Sequence, residues 1–299
     1  MIDGKRLAPR PDDKRPRLMA VSDAELDRPK IKTVLKVIYN TLARLFHDPV
    51  GMVLGSTFVL LMLWGTHGKV DLLSLVWHGW TGPGSNPATR GQLIRGIPWD
   101  QEWLSFLIGA VLLVAIPALL IKLVYRQDLK DYGLGLPPRG RRAFALLSAA
   151  ILFVVSLPAF YLGTKDAGMQ AIYPMYRGVF AGFAPFIVYE LGALVFFVVI
   201  EFTFRGYLLF GLYQFRDRDA PEGMVGARGP LVFGYYAIFI AMLSYTAWHL
   251  GKPVPELWGT LVWGIAAGTV VLVSRSIWLI VIVHWLLNVF LDLAMWRGW

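Results

Sequence analysis

The 299-residue sequence contains no cysteine. That excludes disulfides, thiolate nucleophiles, cysteine-ligated zinc and iron–sulfur clusters. Charge is scarce as well: Asp, Glu, Lys and Arg make up 16% of the residues, against about a quarter in a soluble domain. Residues 1–30 hold no apolar run, so a secretory signal peptide is not expected there. No internal repeat, P-loop, Gly-x-Ser-x-Gly elbow or His-Glu-x-x-His helix occurs. Nucleotide hydrolysis, serine catalysis and the helical zinc-peptidase signature are therefore not signalled.

The chain is instead rich in apolar residues, at 56%, with 12 Trp, 18 Phe and 12 Tyr. Aromatics in that number suit a protein that meets bilayer interfaces. The net charge of +9 fits cationic loops on one side of a membrane better than nucleic-acid binding in so apolar a chain. Residues 1–29, with Lys5, Arg6, Arg10, Lys14, Arg15, Arg17 and Arg28, read as a disordered basic cytoplasmic tail. In residues 30–48, Ile31, Val34, Leu35, Ile38, Leu42, Leu45 and Phe46 recur at helical spacing among Lys32, Lys36 and Arg44. That pattern fits a helix lying on an anionic membrane surface, or equally one packed on the rest of the protein. Asp48-Pro49 ends it.

Residues 49–299 read as a helical membrane domain of about seven spans: Val50–Gly65, Trp103–Tyr125, Ala143–Gly163, Ile187–Leu212, Leu231–Leu250, Leu257–Val273 and Ile277–Met295. The apolar run Gly178–Phe215 exceeds one span, and Pro185 is expected to break or kink it. Val70–Gln101 reads as a polar loop, with Trp77, Trp80 and Trp99 near the interface. The fold expected is an all-α polytopic membrane protein preceded by an amphipathic helix. The basic clusters Arg126 to Arg142, Arg216 to Arg228 and Arg275 fall on the side of the basic tail if the N-terminus is cytoplasmic.

Ionisable residues inside spans carry the functional signal, because burying them in lipid is costly. Glu201 and Arg205 are four apart and share a helix face; Glu190 falls on that face nearly three turns earlier. His284 and Asn288 are four apart in a second span, and Asp292 extends their face by one turn. His249 ends a third span before Gly251-Lys252-Pro253. Such groups suit hydrolysis: a buried Glu as general base, His to share its water or protonate a leaving amine, Asn to donate to an oxyanion. Glu201, His249 and His284 are also the one plausible zinc trio, but the Cys-free, motif-free sequence favours a metal-free mechanism without cofactor. The bland alternatives are a structural ion pair for Glu201 and Arg205 and an interfacial cap for His249. Glu190 and Asp292 read as supports rather than catalysts.

At these residues the sequence resembles the CPBP family of intramembrane proteases, which includes the type II CAAX prenyl endopeptidase and bacteriocin-processing or self-immunity proteins. Ile200-Glu201-Phe202-Thr203-Phe204-Arg205-Gly206 resembles the family's Glu-Glu-x-x-x-Arg motif, with Ile200 in place of the first Glu. Tyr245 to His249 resembles Phe-x-x-x-His, and His284 to Asn288 matches His-x-x-x-Asn. His249-Leu250-Gly251-Lys252-Pro253-Val254-Pro255-Glu256 is similar to a segment of a single-Glu branch of the family. The resemblance covers about residues 100–295. It implies a peptide hydrolase of a prokaryotic cytoplasmic membrane, acting on a peptide or protein substrate among membrane lipids. Glu201, Arg205, His249, His284 and Asn288 would be its catalytic set. Since the family's first Glu is the usual base, Ile200 keeps open a non-catalytic scaffold or immunity role. A transporter is disfavoured by the absence of repeats.

Overall fold

A computed structural model gives the fold. It describes residues 20, 22, 30–47, 49–67, 106–175, 177–214 and 233–298. The basic tail, the loop bearing Trp77, Trp80 and Trp99, and the cluster Arg216 to Arg228 lie outside the described residues.

Among the described residues the chain is helical and has no strand. Helix α1 is Ile31–His47 and α2 is Pro49–His67. Helix α3 runs Phe106–Val124, α4 Arg142–Gly163, and α5 is the short Ala167–Ile172. Helix α6 is Phe183–Tyr213, α7 Tyr236–Trp248, α8 Val254–Ser274 and α9 Trp278–Arg297. Helices α3, α4, α6, α8 and α9 are long and apolar enough to cross a membrane; the apolar stretches Val50–Trp64 and Tyr236–Trp248 are shorter. All seven expected spans therefore coincide with helices, and two of them fall below full span length. The protein is a multi-pass integral membrane protein.

Helix α6 is the centre of the bundle. From Val199 to Tyr213 it is buried on every face, while Phe183, Ile187, Val188 and Leu191 of its first half are exposed. Phe202, Phe204, Tyr207, Leu208, Leu209, Phe210 and Leu212 are all fully buried. Pro185 lies in its first turn, where the missing N–H has no partner to lose, so the helix runs unbroken from Phe183. The departure from regular geometry comes later, in a π-helical stretch at Phe202–Leu208. That stretch lets Gly206 approach the loop before α4: a Cβ there would come within 2.9 Å of the Tyr132 carbonyl oxygen.

Around α6, α7 packs along α8, and α9 packs along both α4 and α6. One end of the bundle is stitched by hydrogen bonds from Ile277 N–H to Gly133 O (3.0 Å), Arg141 Nη1 to Val273 O (2.6 Å) and Trp278 Nε1 to Leu134 O (2.9 Å). The other end holds the turn at 249–253 and the Asp166 cap of α5, whose carboxylate accepts from Met169 N–H at 2.9 Å. Helix α8, about 31 Å long at 1.5 Å per residue, separates the two ends. Helix α1 packs against α2 yet leaves Ile31, Val34, Leu35, Ile38 and Leu42 exposed.

Candidate active site

Glu201 is completely buried at the head of the π-helical stretch. An isolated carboxylate there would be prohibitively costly, so it must be compensated. Three nitrogen donors from three helices meet its Oε1: His284 Nδ1 of α9 at 2.6 Å, Trp263 Nε1 of α8 at 3.3 Å, and Arg205 Nη1 of α6 itself at 3.4 Å. The i,i+4 pairing expected between Glu201 and Arg205 is thus present. Arg205 is equally buried and stacks its guanidinium 4.0 Å above the Tyr245 ring. Its Nη2 and Glu201 Oε2 have no hydrogen-bond partner.

The Glu201 contact fixes the chemistry of His284. A carboxylate oxygen accepts, so Nδ1 carries the hydrogen and the neutral ring keeps its lone pair on Nε2. The ring is gripped by Phe197 and Trp263, with centroids 4.5 and 4.9 Å away. Its side chain keeps 14% exposure while Glu201 has none. The pair is therefore an imidazole held through Nδ1 by a carboxylate, the arrangement that orients a histidine for proton transfer.

His249 meets the same aromatic ring as Arg205. The Tyr245 ring is 4.4 Å from the His249 ring and 4.0 Å from the Arg205 guanidinium. His249 Nδ1 is 2.8 Å from the Tyr245 carbonyl oxygen, and its Nε2 is 3.6 Å from Glu256 Oε1. The imidazole expected to share a water with Glu201 thus faces a different carboxylate. Glu256 accepts from Tyr173 O–H at 2.7 Å, and Lys252 Nζ donates to the Tyr173 oxygen at 3.1 Å. Burial, then the Glu256 charge, push the Tyr173 phenol well above its ordinary range, so it stays a donor.

Asn288 is one turn past His284 and donates Nδ2–H to Asp292 Oδ2 at 3.0 Å. Glu190 and Asp292 are buried, Asn288 half-buried, and Trp285 Nε1 donates to the Glu190 carbonyl at 2.7 Å. These residues tie α6 to α9 behind the histidine. Glu190 shares a cluster with Asn288 and Asp292 rather than with Glu201, although the periodicity puts it on the Glu201 face. Ile200 is 1% exposed and packs in the main apolar core.

Glu201, Arg205 and His284 are brought into direct contact; His249 is joined to them through Tyr245, and Asn288 through its own helix. Trp263, Tyr173 and Glu256 were not expected at the site. Glu256 had a sequence signal, as the carboxylate of the His249–Glu256 segment, whereas one Trp among 12 carries none. Among the described residues, no three His, Asp or Glu side chains group closely enough to hold a metal ion.

No curated protein and no solved structure matches the chain. Residues 181–290 match the family model described as type II CAAX prenyl endopeptidase Rce1-like. That stretch contains the Glu201–Arg205 helix, the turn after Tyr245 and the His284–Asn288 helix, and over it the chain is similar to the type II CAAX prenyl endopeptidase Rce1-like family, in keeping with the CPBP resemblance of its motifs.

Proposed function

We propose that the protein is an intramembrane endopeptidase of the CPBP type, which hydrolyses a peptide bond near or within the bilayer. The observation that carries this reading is the 2.6 Å contact between His284 Nδ1 and Glu201. A purely structural ion pair would be complete with Glu201 and Arg205. Here a third group, a histidine, is held by the same carboxylate oxygen. In the reaction Glu201 backs His284, whose Nε2 takes a proton from water as the water oxygen attacks the carbonyl. Arg205 and Trp263 hold Glu201 ionised and in place. Asn288 is anchored through one N–H to Asp292; the second N–H of that amide is the candidate donor to the oxyanion. The substrates are peptides or proteins presented by the membrane.

In the bilayer, the basic loops Arg126 to Arg142 and Arg275, with the N-terminal tail, face the cytoplasm of a prokaryotic cell. Helix α1 rests its exposed apolar side in the same interface.

The test is hydrolysis by the full chain in lipid nanodiscs. Peptides ending in Cys-aliphatic-aliphatic-x, prenylated and unprenylated, are incubated with wild type, E201Q and H284A, and the released fragments are weighed by mass spectrometry. Cleavage by wild type, lost in both variants, supports the reading. One observation favours a second reading, a non-catalytic scaffold. The family's first Glu is replaced by Ile200, which packs in apolar core. A wild type that binds the peptides and releases nothing is the outcome that reading expects.

A further inference from the structure

The bundle end where Ile277 bonds to Gly133 collects arginines: Arg126, Arg139, Arg141, Arg142 and Arg275. Among the described residues none of them has a carboxylate within 4 Å. The Asp128 carboxylate is taken by Lys122 and Lys130, at 3.0 and 3.5 Å.

Arg275 is the member that needs an explanation. It ends α8 in the left-handed conformation, with φ 61°. Glycine adopts that conformation without strain and is the usual residue there. The ordinary reason for an arginine is the attraction of a cation to the carbonyl end of a helix. The hydrogen bonds give that task to a different residue, since Arg141 Nη1 donates to Val273 O at 2.6 Å. Arg275 is half-buried, and its own Nη1 is buried without a hydrogen-bond partner. The guanidinium lies 5.4 Å from the centre of the Phe210 ring. Burial, then the Arg141 charge, pull it below the ordinary range of an arginine. Tyr213 and Asp131 act in the opposite sense, Asp131 from beyond 4 Å. A cation partly withdrawn from water, beside a like charge and short of an acceptor, is costly. An anion reached by both guanidiniums offsets the burial and the repulsion together.

Position indicates where the anion comes from. Arg275 joins two apolar helices of full span length, α8 and α9, and Arg141 caps the start of a third, α4. Residues at span ends stand at the depth of lipid head groups. Trp278, three residues beyond Arg275, is half-buried there, a placement typical of interfacial tryptophan. Leu136, in the loop that leads to Arg141, is 73% exposed. An apolar side chain beside the two arginines suits a ligand that has a tail as well as a charge.

We infer that Arg141 and Arg275 form a binding site for the phosphate of an anionic phospholipid, seated where α4 begins and α8 turns into α9. Guanidinium forks match phosphate oxygens, and basic pockets between spans take such head groups. The lipid clips three helices together at the end of α8 opposite Lys252 and Glu256. The site does not depend on the peptidase reading.

The test uses the full chain in nanodiscs of phosphatidylcholine, with and without phosphatidylglycerol, and reads thermal unfolding. The wild type is expected to gain about 3 °C or more from the anionic lipid. R275G removes the cation and the backbone strain together; it is expected to fold in the neutral lipid and to lose most of that gain. R126Q removes a positive charge from the same end and is expected to keep the gain. A wild type that gains nothing, or equal losses of the gain in R126Q and R275G, would overturn the site, the second outcome showing diffuse attraction instead. Inorganic phosphate, added to neutral nanodiscs at matched ionic strength, tests the other source. If it stabilises the wild type as much as phosphatidylglycerol does, the lipid assignment fails. Native mass spectrometry of protein released from the mixed nanodiscs gives a readout apart from stability. The wild type is expected to retain phosphatidylglycerol that R275G does not, and R275K, which keeps the charge without the fork, is expected to retain less than wild type. Equal retention by all three overturns the site.

Discussion

Glu201 and Arg205 illustrate how a fully buried charge pair constrains mutation. Both are at most 1% exposed and are hydrogen-bonded to each other. Replacing Glu201 by Gln leaves a guanidinium without its counter-charge, which costs roughly 3–5 kcal/mol in buried pairs. E201Q is therefore expected to unfold more readily as well as to lose turnover. The double variant E201Q/R205M should regain most of that stability and none of the activity, as read by thermal unfolding in detergent beside peptide hydrolysis. Equal stability of E201Q and wild type would contradict the burial argument. Ile200 is the converse case. Its side chain packs in apolar core, so I200E puts a carboxylate where no partner waits. A loss of at least about 2 kcal/mol is expected, with no gain in turnover; a gain would mark the natural chain as a pseudoenzyme. At this scale the sequence was informative about Glu201, Arg205 and His284, because polar groups in an apolar span must find one another. It was silent on Trp263 and Tyr173, whose contacts cross 62 and 83 residues of chain with no local pattern.

At the scale of elements, helix α8 matters most, since it carries Glu256 at one end and Trp263 in its middle. It packs on α7 through Gly264, where a Cβ would lie 2.5 Å from Met242 Cγ and 3.1 Å from its Cα. G264A should force α7 and α8 apart, at a cost of about 1–3 kcal/mol, and move His249 relative to Glu256. Gly259, on the same helix, has nothing within 4 Å of its Cβ position. G259A should therefore be neutral or slightly stabilising, since Ala is the better helix former. Unfolding midpoints of the two variants decide this; comparable losses in both would show that the contact at Gly264 is not what matters. Helix positions were legible from apolar run lengths to within a few residues. The π-helical stretch was not, because it comes from packing around Phe202 and Gly206 rather than from residue preference. Pro185 misled for a related reason: a proline breaks a helix only when it lies beyond the first turn, and the run Gly178–Phe215 does not reveal where that turn begins.

The whole molecule has two dissimilar ends. One, at Arg141 and Arg275, is basic and stitched by hydrogen bonds to main-chain carbonyls. The other carries Lys252, Tyr173 and Glu256. Charge counting along the sequence indicated which loops share a side, but not that a cluster of Lys252, Tyr173 and Glu256 would sit opposite them. Absence of cysteine makes the arrangement easy to test: single cysteines at Arg139 and Lys165 should react with a membrane-impermeant maleimide from opposite faces, Lys165 from outside in intact cells. Labelling of both from one face would refute the proposed orientation. The polar end then acquires a meaning beyond geometry. If it opens away from the cytoplasm, a peptide approaching from the outer compartment meets Lys252, Tyr173 and Glu256 before it reaches Glu201 and His284. In sealed vesicles, peptide supplied on that side alone would then be cut, and the chain would act on what its cell is facing rather than on what the cell makes.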